Sequence, residues 1–353
     1  MRQGKITYIF PGSNTSQGFV SHYRDGLLGL EHVFILKGGP GCGKSTLMRR
    51  VGALLLERGF DCEFWQCSSD NDSLDGVVCA ELSLALVDGT APHTLDPRYP
   101  GVVESIVDLG VCWDEQQLRQ HKRQIIDLNE RIAAHYAEAY RLLGEAGDLA
   151  ERRAAGNAEA CDDAAVAAAC AELGDAVFRV GQSRCRHLFA SALTPRGVVD
   201  LCASISADAE HRYVICGASG CGKERLLAQL AARADGGGHR ADIYHSYLRP
   251  EQIKLIMLPE LRTALLDGGE DEAAFARGKN DIVIDGAAWL RGAAVPADER
   301  VQQLSDAAAA AVAEAKQLHD QLEDYYVRAM DFEISDMLAQ RLIERIMLLA
   351  ADK

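Results

Sequence analysis

One glycine-rich pattern occurs twice in this chain and constrains the fold more than any other feature. The pattern G-x-x-x-x-G-K-[ST] forms a phosphate-binding loop between a strand and a helix. The first loop, residues 38–45, matches it in full. The second loop, residues 217–224, matches up to its last position, where Glu224 replaces the hydroxyl residue. Because that hydroxyl normally holds Mg²⁺, we predict that the two loops are unequal sites.

The residues around the first loop favour a nucleotide site. Residues 33–37 are β-prone, and residues 45–58 carry apolar side chains at helical spacing before Gly59. A strand, a tight loop and a helix N-terminus together direct backbone N–H groups and the helix dipole at an anion. We therefore predict that ATP with Mg²⁺ binds here, adenine being preferred because no N-K-x-D guanine-reading sequence occurs. The predicted nucleotide ligands are Gly38, Gly39, Pro40, Gly41, Cys42, Gly43, Lys44, Ser45 and Thr46.

The second loop has a similar setting, with a β-prone run at residues 213–216 before it and leucines at helical spacing after it. Two interpretations stay open: the loop binds phosphate, or it is retained only for its fold. In the first case the phosphate contacts come from Gly217, Gly220, Gly222 and Lys223.

The similarity between the two halves extends beyond the loops. At a constant offset of 179 residues and without gaps, residues 31–47 match residues 210–226 at 8 of 17 positions, and residues 81–89 match residues 260–268 at 6 of 9. A chain of 353 residues also exceeds one comfortable core. The repeat predicts an internal duplication with two P-loop NTPase domains, at residues 1–180 and 181–353.

Composition excludes several classes of function. The net charge of −15 leaves no basic surplus to neutralise phosphates, which disfavours general nucleic-acid binding. No apolar run reaches the roughly 18 residues of a membrane span, and the N-terminus does not resemble a signal peptide. The eleven cysteines are odd in number and scattered, so we expect reduced thiols and a cytoplasmic location.

The order of predicted elements indicates an α/β fold. Strands are predicted at residues 6–10, 33–37, 61–67 and 82–87, with a loop rich in turn formers at residues 68–73. Because strands alternate with helices, we expect a parallel sheet flanked by helices in each domain.

Two long helical stretches follow the sheets. Residues 114–178 and 298–349 are rich in alanine and charge and have helical periodicity, with a break between two helices expected at residues 144–156. We therefore predict a long helical hairpin after each domain, serving either packing or a lid or partner-binding arm.

Three residues carry the expected chemistry. Lys44 should contact the β- and γ-phosphates, and Ser45 should ligate Mg²⁺. Asp88 ends an apolar strand, which is the position of a Walker B aspartate that reaches Mg²⁺, usually through water. The second half repeats this feature at Asp267.

The remaining catalytic groups are not determined by the sequence. Candidates for a general base or a water-orienting group are Asp70, Asp72, Glu81 and His93. Candidates for an arginine finger are Arg98, Arg212 and Arg249.

The chain resembles a poorly characterised bacterial family of tandem P-loop proteins, usually labelled predicted ATPases or nucleotide kinases. The resemblance lies in residues 38–48, 67–76 and 88–93 and extends to residues 331–333. It implies two P-loop NTPase domains and carries over Gly38, Gly43, Lys44 and Ser45 as nucleotide ligands. Both loops of the family usually end in lysine and a hydroxyl residue, so Glu224 is a departure.

Three functions fit these features. The first is a Mg²⁺-dependent ATPase in which the degenerate half regulates or completes the active one. The second is phosphoryl transfer to a nucleotide or small-molecule acceptor, with basic residues such as Arg119, Lys122 and Arg123 in a closing lid. The third is a nucleotide sensor that acts on a protein partner through its helical arms.

Overall fold

Two six-stranded sheets with flanking helices form the body of the protein, and the α/β class is confirmed. The computed structural model describes residues 2–178, 184–235, 240–270 and 281–351. The predicted domain boundary at residues 180 and 181 lies outside these described residues and stays a prediction.

The first sheet has the strand order β1-β5-β6-β7-β4-β8. The second sheet has the same order when read from its other edge, β9-β13-β14-β15-β12-β16. The strands of the first sheet are β1 (Ile6–Ile9), β4 (His32–Lys37), β5 (Cys62–Gln66), β6 (Leu74–Cys79), β7 (Leu84–Asp88) and β8 (Glu104–Asp108). Those of the second are β9 (Arg184–Phe189), β12 (His211–Cys216), β13 (Arg240–His245), β14 (Ile253–Leu258), β15 (Thr263–Asp267) and β16 (Asp281–Asp285).

The prediction of parallel sheets is wrong, because both sheets are mixed. Strand β6 runs antiparallel to β5 and β7, and β14 runs antiparallel to β13 and β15. The connection from β5 to β6 is too short for a parallel crossover, which needs about a dozen residues or more. All six residues of β6 are buried, so the strand lacks the polar–apolar alternation that would have revealed it.

A small third sheet joins the two halves. Its four strands are β2 (Gly12–Thr15), β3 (Gly18–Ser21), β10 (Ser191–Thr194) and β11 (Gly197–Asp200). They form two hairpins, which meet where β2 pairs with β10. The side-chain amide of Asn14 donates to the carbonyl oxygen of Leu193 at 3.0 Å across this junction.

The longest helix is continuous, so the predicted break at residues 144–156 is wrong. Gly147 packs closely against Ser16, where an added Cβ would lie 2.8 Å from the serine Cβ. The chain breaks instead just before Asp162, whose carboxylate caps the next helix. The helices are α1 (Tyr23–Gly26), α2 (Lys44–Glu57), α3 (Glu115–Gln120), α4 (Lys122–Glu159), α5 (Asp163–Val177), α6 (Cys202–Ile205), α7 (Lys223–Ala234), α8 (Glu299–Arg328) and α9 (Phe332–Ala351).

The long helices do not form the hairpins that were predicted within each half. Helix α4 packs along α8, so the two long helices from opposite halves form one pair. Leu128 of α4 packs with Leu318 and Leu322 of α8 near one end, and Leu143 packs with Val312 farther along. Residues later in α4 therefore contact residues earlier in α8, so the two helices are antiparallel.

The shorter helices also cross between the halves. Helix α5 follows the first sheet in the chain but packs on α7, the helix after the second loop. Helix α9 follows the second sheet but packs on α2, the helix after the first loop, through residues such as Leu342, Ile343 and Ile346. The helix after each loop is therefore buried by a helix from the other half.

A buried charge network also connects the two six-stranded sheets. Arg186 of β9 donates to both carboxylate oxygens of Asp242 at 2.6 and 2.9 Å, and its guanidinium also binds Glu63 of the first sheet. Although burial opposes its charge, these two carboxylates raise the pKa of Arg186. Arg186 is therefore charged, and it links the second sheet to the first.

Docking of α9 on α2 can be tested with two apolar residues of the same helix. We predict that Ile346→Ala lowers the free energy of unfolding by about 2–5 kcal/mol, because Ile346 is fully buried and its loss leaves a cavity. The control Leu348→Ala should change it by less than about 0.5 kcal/mol, because Leu348 is 69% exposed. Urea unfolding measures both variants, and equal effects would contradict the docking.

Candidate functional site

The first loop connects β4 to α2 and brings the predicted lysine and aspartate together. Lys44 Nζ donates to the carbonyl oxygens of Gly38 and Gly39, both at 2.8 Å. Strand β7 pairs directly with β4, so Asp88 at its end lies beside the loop. Its Oδ2 is 3.6 Å from Lys44 Nζ. A cationic amine and a carboxylate therefore face one another at the start of α2.

The helix end of the first loop is open. An added Cβ at Gly43 would meet no atom within 4 Å, and Thr46 is exposed. Ser45 Oγ accepts a hydrogen bond from the backbone N–H of Leu74 at 3.0 Å, and a hydroxyl oxygen keeps a second lone pair for a cation. These residues fit a magnesium-bound triphosphate: Lys44 for the phosphates, and Ser45 and Asp88 for the metal.

The second loop contains an anion of its own. Both carboxylate oxygens of Glu224 lie 3.2 Å from the backbone nitrogen of Gly220, which donates to them. Gly41, the corresponding residue of the first loop, donates its N–H to no side chain in the described ranges. The carboxylate of Glu224 therefore takes a donor of the kind that phosphate oxygens use in such loops.

The lysine of the second loop is buried in an ion pair. Lys223 is 3% exposed, donates to the carbonyl oxygen of Gly217 at 2.7 Å and lies 2.8 Å from Asp267 Oδ1. Although burial raises the pKa of Asp267, Lys254 and Lys223 together hold it well below its usual range. The charge of Lys223 is thus balanced within the protein.

Helices from the first half cover the second loop closely. An added Cβ at Gly220 would overlap the backbone carbonyl of Ala154 in α4, and one at Gly222 would lie 2.5 Å from Val166 in α5. The buried side chain of Asn157 donates to the carbonyl oxygen of Ser219 at 2.6 Å. Helices therefore cover the second loop at Gly220 and Gly222, and Glu224 uses one of the loop's backbone N–H groups.

The corresponding cover of the first loop comes from the end of α8. An added Cβ at Gly41 would lie 2.6 Å from Val327 Cγ2 and 2.9 Å from Glu323 Cγ. The two covers correspond, because the backbone N–H of Asp331 donates to Cys112 just as that of Asp162 donates to Trp289.

This correspondence shows a difference in chemistry between the covers. The offset along the chain that relates Asp162 to Asp331 also relates Ala154 to Glu323. His319, one helical turn earlier, corresponds to an alanine as well. At these two positions α8 therefore carries ionisable side chains beside the first loop, whereas α4 carries alanines.

The ionisable residues of α8 form a compact group near the first loop. Ligand atoms of His319, Asp320 and Glu323 lie within 4.8 Å of one another, and Lys316 Nζ is 3.4 Å from Asp70 Oδ2. Burial lowers the pKa of His319. These residues could not be predicted from local sequence, because only the pairing of α8 with the other half's loop brings them to the site. Aligning the ends of the two long helices would have revealed the contrast.

The four candidate bases have different surroundings. Asp70 accepts from the hydroxyl of Ser73 at 2.9 Å within its own loop and faces α8. Asp72 forms an ion pair with Arg196, and Glu81 accepts from the backbone of the chain just before β5. His93 is buried. Among the residues that the structure describes, Asp70 is the one of the four that forms an ion pair with the helix covering the first loop.

The candidate arginine fingers are not gathered at the first loop. Arg249 binds Glu151 and Glu251, and Arg212 Nε lies 3.5 Å from Asp281 Oδ1 in the second sheet. Arg98 is exposed. The structure assigns none of these three a contact with Lys44 or Asp88.

The cysteines of the two loops, Cys42 and Cys221, are buried and fill space in the packing. Burial raises the pKa of Cys42 and raises that of Cys221 to about 11. Both thiols therefore stay protonated near neutral pH, in spite of their position before a helix N-terminus.

Comparisons with known proteins give no match to this chain. No protein-family model, curated protein or solved structure matches the chain. None of the helices in the described ranges is long and apolar enough to cross a membrane.

Proposed function

We propose that the protein is a Mg²⁺-dependent ATPase with one active nucleotide site, at the first loop, and one degenerate site, at the second. The observation that carries this proposal is the contrast at the last residue of the two loops. Ser45 lies at an open loop end, whereas Glu224 of the second loop already accepts from the backbone N–H of Gly220. The identical strand order of the two sheets supports tandem P-loop NTPase domains as the architecture.

Different residues of the chain would contact the phosphates and the metal ion at the first loop. Bound Mg²⁺ would neutralise developing negative charge on the phosphates. Lys44 supplies a positive charge to the same oxygens, while Ser45 and Asp88 hold the cation. The end of α8 excludes water from one side of the loop and brings Glu323 near Gly41. Glu323 is therefore our candidate for the group that orients the attacking water.

The nucleotide-binding half can be identified with matched lysine variants. Lys44→Ala should weaken ATP binding by about tenfold to a hundredfold or more, because a charge-assisted contact to phosphate contributes about 1.5–3 kcal/mol. Lys223→Ala should leave ATP affinity unchanged, because Lys223 is buried against Asp267.

Isothermal titration calorimetry measures both affinities, and circular dichroism checks that each variant is folded. Near-normal binding by Lys44→Ala together with lost binding by Lys223→Ala would reverse the assignment of the active half.

Asp88 should matter for turnover more than for binding of the nucleotide itself. We expect Asp88→Asn to slow phosphate release by roughly 10²-fold, since a lost metal contact weakens transition-state stabilisation. Binding of metal-free ATP should stay within about threefold of wild type, a change of less than 1 kcal/mol. Asp267→Asn is the control and should leave turnover unchanged. Equal losses in binding and turnover for Asp88→Asn would contradict a metal role, and turnover without any added acceptor separates hydrolysis from phosphoryl transfer.

Exchanging the last residue of the two loops tests why they differ. Ser45→Glu should abolish ATP binding, because two unit charges about 4 Å apart repel by roughly 4 kcal/mol at an effective dielectric near 20. The charge of Glu224 alone would predict that Glu224→Ser creates a second site. We instead expect the stoichiometry to stay at one ATP per chain, because α4 and α5 still cover the loop. Calorimetric titration of both variants gives the stoichiometries, and two tight sites in wild type or Glu224→Ser would contradict the proposal.

A further inference from the structure

Three buried side chains of metal-binding type meet at the edge of the first sheet. Cys67 directly follows β5, Asp75 lies in β6, and His93 lies in the connection after β7. They are 7%, 4% and 6% exposed, respectively. Their ligand atoms all lie within 4.8 Å of one another, and His93 Nε2 is 3.4 Å from Asp75 Oδ2.

Within the described residues, two polar atoms of this cluster lack a hydrogen-bond partner, although the carboxyl group of Asp75 also faces the hydroxyl of Tyr23 and the thiol of Cys67. Asp75 Oδ2 and His93 Nδ1 are buried, and neither meets a hydrogen-bond partner at acceptable geometry in the described ranges. Leaving a buried carboxylate oxygen without a donor is costly. A cation bound between the three side chains would satisfy the carboxylate directly.

We propose that Cys67, Asp75 and His93 bind one divalent transition-metal ion of the zinc class. Sulfur, imidazole nitrogen and carboxylate oxygen are the ligands that zinc takes, whereas Mg²⁺ prefers an all-oxygen shell. Tetrahedral zinc with bonds of about 2.0–2.3 Å places its ligand atoms roughly 3.3–3.8 Å apart. The measured 3.4 Å between His93 Nε2 and Asp75 Oδ2 agrees with that spacing. A water molecule completes the four ligands.

The charges and the packing suit such an ion. A thiolate and a carboxylate neutralise a divalent cation, and a neutral imidazole leaves that balance unchanged. The ring of Tyr23 stacks on His93 with centroids 5.1 Å apart, and the ring of Phe19 meets it edge-on at 5.0 Å. These two ring contacts restrict the orientation of the imidazole.

The second half does not repeat the ligand set. At the offset that relates the two loops, Cys67 corresponds to Ser246 and Asp75 to Lys254. Lys254 instead forms an ion pair with Asp267 at 3.2 Å. In the second half a fixed lysine charge therefore stands where the first half has a carboxylate, and only the first half can bind the cation in this way.

Bound metal would tie together the ends of β5, β6 and β7, close to Asp88. Binding of this ion does not depend on ATP. The metal site and the proposed ATPase activity can therefore be disproved separately.

The test is metal analysis of the full-length chain purified without an affinity tag. Elemental analysis should find about one zinc per chain. After removal by a chelator, titration with Co²⁺ alone should saturate at one equivalent and produce the thiolate-to-cobalt charge-transfer absorption that reports a sulfur ligand. Lys44→Ala should bind Co²⁺ as the wild type does, because Lys44 belongs to the nucleotide site.

Two ligand variants and one control complete the design. Cys67→Ser should lose the charge-transfer absorption, and His93→Gln should weaken Co²⁺ binding by at least about tenfold. Cys202→Ser, which removes a buried cysteine of the second half, should keep both signals. Wild-type protein that is folded by circular dichroism but takes up less than about 0.1 equivalent of either metal would overturn the proposal, whether or not the variants fold. Charge-transfer absorption that persists in folded Cys67→Ser would also overturn it.

Discussion

The exchange of helices between the two halves is the constraint on which the rest of the structure depends. Helices α2 and α7 start at the two loops and carry an apolar stripe, which must be buried for the helices to be stable. The cover comes from α9 for α2 and from α5 for α7, in each case from the other half. The α4–α8 pair spans the distance that this exchange requires. Neither loop therefore has a complete environment without residues from both halves.

The same exchange explains how similar loops acquire different chemistry. The end of α8 brings Glu323 to the first loop, whereas α4 brings Ala154 to the second. The second loop then satisfies one of its own amides with Glu224, so its anion-binding groups are used internally. Any force that moves α8 relative to α4 acts on both loops at once.

The parts of the fold that the sequence predicted are those determined by local pattern. The loops, their strands and helices, and the acids that end β7 and β15 follow from residue order and period. Strand β6 was not predicted because all its residues are buried, so polar and apolar residues do not alternate along it. The break expected near Gly147 was wrong because that glycine serves close packing against Ser16. The positions of Glu323 and His319 near the first loop depend on helix pairing between residues that are distant in the chain, which no local pattern records.

A crystal structure with Mg²⁺ and a non-hydrolysable ATP analogue tests the central claim most directly. We expect one nucleotide per chain, with its phosphates at Lys44, its cation at Ser45 and Asp88, and the Glu224 carboxylate still bound to the Gly220 amide. A nucleotide bound at the second loop with Glu224 displaced, or an empty first loop at saturating analogue, would contradict it.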